Sequence, residues 1–180
     1  MELEILHALQ GLHNEVLDSI MLFITTLGDS GMLWIVTGAL LLLIPAIGQE
    51  SREHLHMRRR MGVNILVSLL LGLLFGNLLL KNLIKRPRPF QVDTGVVPLI
   101  LPGEYSFPSG HTTSSFAAAC SIYLHNKKAG AAAFVMAALI AFSRMYLFVH
   151  YPTDILGGIL LGVLCAAGGR KIGNMIRKGE

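Results

Sequence analysis

Charge is scarce in this chain. Of its 180 residues 14% are charged and 53% hydrophobic, whereas soluble domains carry about a quarter charged residues. With a mean hydropathy of +0.59, this shortage argues against an ordinary water-soluble domain and for a membrane protein. Cysteine is nearly absent too. Cys120 and Cys165 each lie alone in an apolar segment. That excludes a disulfide framework and a zinc site, and the two thiols read as buried packing residues. A positive n-region is also missing, because residues 1–4 carry acid. No secretory signal peptide is expected, so the membrane segments direct insertion themselves.

The net charge is +4, but the bases do not form a nucleic-acid surface. They sit in short runs between apolar segments, as the cytoplasmic flanks of spanning helices do. No nucleic-acid partner is expected; the expected partners are membrane lipids.

A span needs about 20 mainly apolar residues. Residues 32–47, 61–80, 109–124, 129–149 and 155–169 qualify or come close. A sixth stretch, 16–27, is short, and whether it spans stays open. Leu3, Ile5, Leu6 and Leu9 have the spacing of a short helix lying on the membrane surface. Gly28-Asp29-Ser30-Gly31 is a turn, residues 49–60 a polar loop, and residues 81–108 a long loop with five prolines. A loop of that length is usually functional, and residues 91–107 are the natural lid. The expectation is an all-α membrane bundle of six helices, with residues 1–180 forming one embedded domain. With the N-terminus inside, ten of the fifteen Lys and Arg residues fall on the inner face. The C-terminus is then inside as well. Gly72/Gly76 and Gly158/Gly162 each form a G-x-x-x-G, read either as dimerisation or as close packing within one chain.

Three clusters carry chemistry, all on the outer face in this orientation. Lys81, Lys85, Arg86 and Arg88 put four cations into eight residues on the side where cations are disfavoured. Such a patch at a membrane surface suits a phosphate, which arginine grips with paired hydrogen bonds. Lys85 and Arg86 touch either substrate or headgroups. Next, Pro108-Ser109-Gly110-His111 precedes an apolar helix. A helix start offers free N–H groups to an anion, Ser109 adds a hydroxyl, and Gly110 permits close backbone approach. Finally, Ser143-Arg144 leads to His150 and Asp154 around Pro152. A carboxylate four residues on can hold one imidazole nitrogen and leave the other to attack. His54 and His56 lie among arginines that would repel a metal ion, and read as solvated.

In this order and spacing the clusters resemble the three motifs of the type 2 phosphatidic acid phosphatase (PAP2) superfamily: K-x6-R-P, P-S-G-H and S-R-x5-H-x3-D. Here they run Lys81 to Arg88-Pro89, Pro108 to His111, and Ser143-Arg144 to His150 and Asp154, without departure. The resemblance implies a metal-independent membrane lipid phosphatase, with no cofactor. His150 would form a phosphohistidine, Asp154 would orient it, and His111 would act as acid and then base. Lys81, Arg88 and Arg144 would hold the phosphate, helped by Ser109 and the Gly110 N–H. Among bacterial relatives of this size, the resemblance leaves undecaprenyl diphosphate, phosphatidylglycerol phosphate, phosphatidic acid and lipid A phosphates open as substrates. The expectation leans to the first, or to a broad lipid phosphatase, in the bacterial plasma membrane with its site on the outer face. The competing readings are a lipid phosphotransferase using the same intermediate and a non-enzymatic transporter or scaffold. A homodimer is possible and not required.

Overall fold

The computed structural model describes residues 1–44 and 51–178, and among them there is helix and no strand. The end of the expected 32–47 span and the start of the expected 49–60 loop lie outside the described residues. The order is α1 (Glu2–Gln10), α2 (Glu15–Leu27), a 3-10 turn (Asp29–Gly31), α3 (Met32–Leu43), α4 (Arg52–Gly72), a π-helical segment (Leu73–Leu80), α5 (Lys81–Ile84), α6 (Pro89–Val92), α7 (Gly110–Tyr123), α8 (Lys127–Tyr146) and α9 (Pro152–Lys178).

Local chemistry starts these helices. Asn14, Ser51, Ser109 and Asn126 precede α2, α4, α7 and α8, and each side chain accepts a hydrogen bond from a backbone N–H in the first turn. Such caps satisfy donors that a helix start leaves unpaired. The cap at Ser51 corrects the expected polar loop. From Arg52 onward those residues are helical, because Arg, Glu, Leu and Met are good helix formers once a cap is supplied. The long loop also begins later than expected, since Lys81–Ile84 continue the helix. Between them, Leu73–Leu80 widen to a π-helical pitch around Gly76 and Asn77.

Helix α7 is the central element, packing on α4, α8 and α9. Its buried positions are small: Thr112, Thr113, Ser115, Ala117, Ala118, Ala119 and Ser121. Neighbouring helices therefore approach its backbone closely. A Cβ on Gly158 would stand 2.9 Å from the Ser109 carbonyl oxygen, and one on Gly162 2.8 Å from that of Thr113. Gly72 and Gly76 face Thr113 and Leu161 in the same way. Both G-x-x-x-G pairs are thus seams within one chain. Larger side chains pack alongside, where Trp34, Ile65 and Ile140 cluster and the Trp34 indole N–H donates to Ser115 Oγ at 3.0 Å.

The outer surface is apolar. Leu70, Leu78 and Leu79 on the α4 side and Leu156, Leu160 and Leu164 on α9 are all more than half exposed. Arg52–Val92, Lys127–Tyr146 and Pro152–Met175 are long and apolar enough to cross a membrane; α2 and α3, meeting at 40°, count as a fourth span if taken together. Length supports three or four of the six expected spans, because α2, α3 and α7 have 13, 12 and 14 residues, about 18 to 21 Å of rise against about 30 Å of hydrocarbon.

Helix α1 forms as its spacing predicts, but it does not simply lie on a membrane. Leu6 is fully buried against Phe148 and Tyr151, with Leu3 and Leu9 packed beside it. Its apolar face is used by the protein, at the end of the bundle where the motif residues gather.

Candidate active site

The fold brings the ends of several helices to one place. Lys81 opens α5, Arg88 caps α6, Gly110 and His111 open α7, Arg144 lies in the last turn of α8, and Asp154 lies in the first turn of α9. His150 sits in the turn between α8 and α9. Pro152 fits the first position of α9, and Phe148, with φ of 59°, reverses the chain just before.

His150 is 2% exposed and Asp154 fully buried. The imidazole Nε2 accepts from Arg88 Nη1 at 3.2 Å, and Nδ1 lies 3.4 Å from Asp154 Oδ2. Burial first, then the nearby Arg88 and Arg144 guanidiniums, push the imidazole down to about 3 against the pull of Asp154. His150 is therefore neutral, with a lone pair on Nε2.

Asp154 is held from several sides. Its Oδ2 accepts from Ser106 Oγ at 2.5 Å and from the Tyr151 N–H at 2.9 Å, and its Oδ1 accepts from Arg86 Nη1 at 2.7 Å. Arg86 stacks over Tyr151 at 3.8 Å and pairs through Nη2 with Glu2 Oε2 at 2.6 Å. Glu2 Oε1 in turn accepts from Thr153 N and Oγ1. The first turn of α1 is thus tied to the His150–Asp154 pair.

The cations are buried and anchored. Arg88 is 2% exposed and donates through Nε to the Glu104 carbonyl at 2.6 Å and through Nη1 to the Val149 carbonyl at 2.8 Å. Arg144 donates to Thr25 Oγ1 at 2.5 Å, while its Nε is buried without a hydrogen-bond partner. Lys81 pairs with the Glu104 carboxylate, which this contact holds below the usual carboxylate range. Ser109 Oγ accepts from Thr112 N and Oγ1, leaving its own proton to donate. His111 Nε2 stands 2.9 Å from Asp29 Oδ1.

Lys81, Arg88, Gly110, His111 and His150 line one cavity of about 940 Å³, together with Asn77 and Glu104. Arg144, Ser109 and Asp154 are buried and do not line it. The cavity continues between α3 and α4 along Ile35, Leu66, Leu69, Leu70 and Leu73. Among the described residues no group of three His, Cys, Asp or Glu side chains is placed to hold a metal ion.

Four residues here carried no signal of their own in the sequence: Ser106, Glu104, Asp29 and Glu2. A fifth, Arg86, reads in the sequence as meeting either substrate or headgroups; in the structure it donates to Asp154.

An all-helical protein with bilayer-length apolar helices, whose buried cations converge on a neutral imidazole, is a membrane phosphoryl-transfer protein by class. The chain belongs to the PAP2 superfamily, whose model matches residues 62–177, and it is a phosphatase. It is 36% identical over 170 residues to undecaprenyl-diphosphatase BcrC of Bacillus subtilis (strain 168), covering 91% of this chain and 80% of that one. Phosphatidylglycerophosphatase B of the same organism is 38% identical over 115 residues, about half of each chain at 53%. A solved structure, the transmembrane PAP2 type phosphatidylglycerolphosphate phosphatase of Bacillus subtilis, superposes with a TM-score of 0.64 at 28% identity, covering 96% of this chain and 84% of that one.

Proposed function

We propose that this phosphatase removes phosphate from a membrane lipid, carrying a phosphate monoester or a diphosphate, by way of a phosphohistidine on His150. The observation that carries the reading is the shape of the cavity. One end holds Lys81, Arg88, His111 and His150, and the other is a wall of leucine and isoleucine between α3 and α4. At about 940 Å³ it exceeds what a phosphate fills, and its apolar part suits a lipid chain.

The steps use the chain's own groups. Lys81, Arg88 and Arg144 hold the phosphate oxygens, with the Gly110 N–H and Ser109 hydroxyl at the head of α7. The unpartnered Arg144 Nε offers a donor for one such oxygen. His150 Nε2 attacks phosphorus, the P–O bond to the lipid breaks, and His111 protonates the leaving oxygen. His111 then takes a proton from water as the new P–O bond forms and the P–N bond breaks. Asp154 keeps the proton on His150 Nδ1 and balances its charge. No step calls for a metal ion, since catalysis here is positioning and electrostatic stabilisation.

The names of the relatives favour undecaprenyl diphosphate and then phosphatidylglycerol phosphate, and phosphatidic acid is a further candidate from the motifs. Residues 1–180 act as one embedded unit of the bacterial plasma membrane. Six crossings fit the site, which gathers the ends of α2, α4 and α8 and the starts of α3, α7 and α9. Alternating direction puts all of these on one face, and the basic residues make it the outer face. The short α7 is surrounded by α4, α8 and α9 and need not meet lipid along its length. A second copy is not required.

The test is phosphate release by detergent-purified protein from those three lipids, in excess chelator and without added acceptor. Release from at least one supports a metal-independent hydrolase. Loss of activity with chelator would refute metal independence, and release only with a second lipid present would make the protein a phosphotransferase.

The Glu104 carboxylate sits on the Lys81 ammonium and competes with an incoming phosphate. Glu104→Gln is expected to strengthen inhibition by inorganic phosphate about 2- to 5-fold, the scale of a partly exposed ion pair. Unchanged inhibition would mean that phosphate does not displace this contact.

A further inference from the structure

The turn between α2 and α3 lies outside the residues matched by the family model, 62–177, and outside the three motifs. Yet it is shaped around one of their histidines. Ser30 and Gly31 take φ of 52° and 66°, which curls the chain so that Asp29 meets the first turn of α7. Asp29 Oδ1 lies 2.9 Å from His111 Nε2. Gly28 completes the fit from the other side. A Cβ there would stand 2.7 Å from His111 Cδ2 and 2.8 Å from Ile140 Cγ2, so only glycine leaves room for the ring. The Asp29 side chain is 61% exposed against 19% for His111. The carboxylate keeps much of its hydration while it reaches the half-enclosed imidazole.

We propose that Asp29 is a positioning residue for the reaction: it keeps a proton on His111 Nε2 and aims Nδ1 at the leaving oxygen and then at water. This rests on the role given to His111 above. In the first step the imidazolium passes its Nδ1 proton to the lipid oxygen as the P–O bond breaks, and stays neutral with Nε2–H on Asp29. In the second, Nδ1 takes a proton from water as the P–N bond to His150 breaks, and the imidazolium returns. Asp29 stays a carboxylate throughout, as an orienting carboxylate beside a catalytic histidine does. The other charges facing this imidazole are Arg144 from α8, Lys81 from α5 and Glu104 from the long loop.

The experiment is Asp29→Asn in the full chain, with Asp29→Glu as the conservative partner, read in two ways. In the lipid assay Asp29→Asn is expected to lower kcat about 10- to 100-fold, a share of what a general acid contributes, with KM within about twofold. The alkaline limb of kcat should move to lower pH by about one unit, because losing the neighbouring anion disfavours the imidazolium. Asp29→Glu should recover part of kcat. Independently, the His111 imidazole is titrated by NMR, assigned with His111→Gln, and its midpoint should fall in Asp29→Asn. An unchanged kcat, or a lowered kcat with an unmoved His111 midpoint, overturns the proposal. If the wild type released phosphate from no lipid, the lipid reading would fail, and the titration would still decide the Asp29–His111 pairing.

Discussion

His150→Ala is expected to lower phosphate release by about 10⁴-fold or more, the scale seen when a covalent nucleophile is removed. The expectation rests on position and protonation together. His150 is neutral, its Nε2 faces the cavity beside Arg88, and its Nδ1 faces Asp154. No other imidazole lining the cavity combines these features, because His111 turns its Nε2 to Asp29. His150→Gln is the control for folding, since it keeps a polar side chain of similar reach without a nucleophilic nitrogen. Both variants should run as folded protein in detergent, and neither should carry acid-labile phosphate after a quench with phosphate-labelled lipid. Release by either variant equal to the wild type would remove His150 as the nucleophile.

Protonation adds a second expectation for the same residue. Burial holds His150 near 3, below the ordinary 6.5. A lowered value favours the neutral form, so kcat/KM should show no limb from His150 between about pH 5 and 9. The sign for stability is the reverse of that for a charged, paired histidine. As pH falls from about 6.5 toward 3, the unfolded chain takes up a proton that the folded one refuses, so His150 costs stability across that window and nothing above it.

The elements of this site differ in how far they could be read from the residues alone. Lys81, Arg88, Ser109, Gly110, His111, Arg144, His150 and Asp154 stand at fixed spacings beside helix ends, and a spacing of that kind is a local property. Five of the eight line one cavity, and the other three are buried. Arg86 lies between two of the motif residues, but its partner Asp154 is 68 positions away, and no local pattern announces such a contact. Asp29 looked like turn chemistry because Gly-Asp-Ser-Gly is turn chemistry. That its carboxylate meets His111 depends on the turn packing against α7. Helix α1 was legible as a helix because periodicity reports an apolar face; what covers that face is tertiary, and here it is Phe148 and Tyr151. Span counting by length supports only three or four of the six for a related reason. The small residues of α7 are turned to other helices, so neither its length nor its hydropathy alone reports a crossing.

Asp154→Asn is expected to lower kcat about 10³- to 10⁴-fold, the scale found when an orienting carboxylate becomes an amide. The carboxylate accepts on both oxygens, from Ser106 and the Tyr151 N–H on one and from Arg86 on the other. An asparagine has one acceptor oxygen and one NH₂. If the oxygen faces Ser106 and His150, the NH₂ meets the Arg86 guanidinium, donor against donor. If the amide turns over, its NH₂ meets the Tyr151 N–H and the His150 Nδ1 proton, and the imidazole is driven to the tautomer whose Nε2 cannot attack. Arg86 therefore decides which orientation costs less. Arg86→Gln alone should lower kcat about 10-fold by loosening Asp154, yet cost less than that in the Asp154→Asn background, where it relieves the donor clash. The double-mutant cycle measures this coupling directly. Additive losses would mean that Arg86 acts on the N-terminal helix through Glu2 and not on the catalytic pair. Asp154→Asn activity within about threefold of wild type would mean that the carboxylate does not set the His150 tautomer.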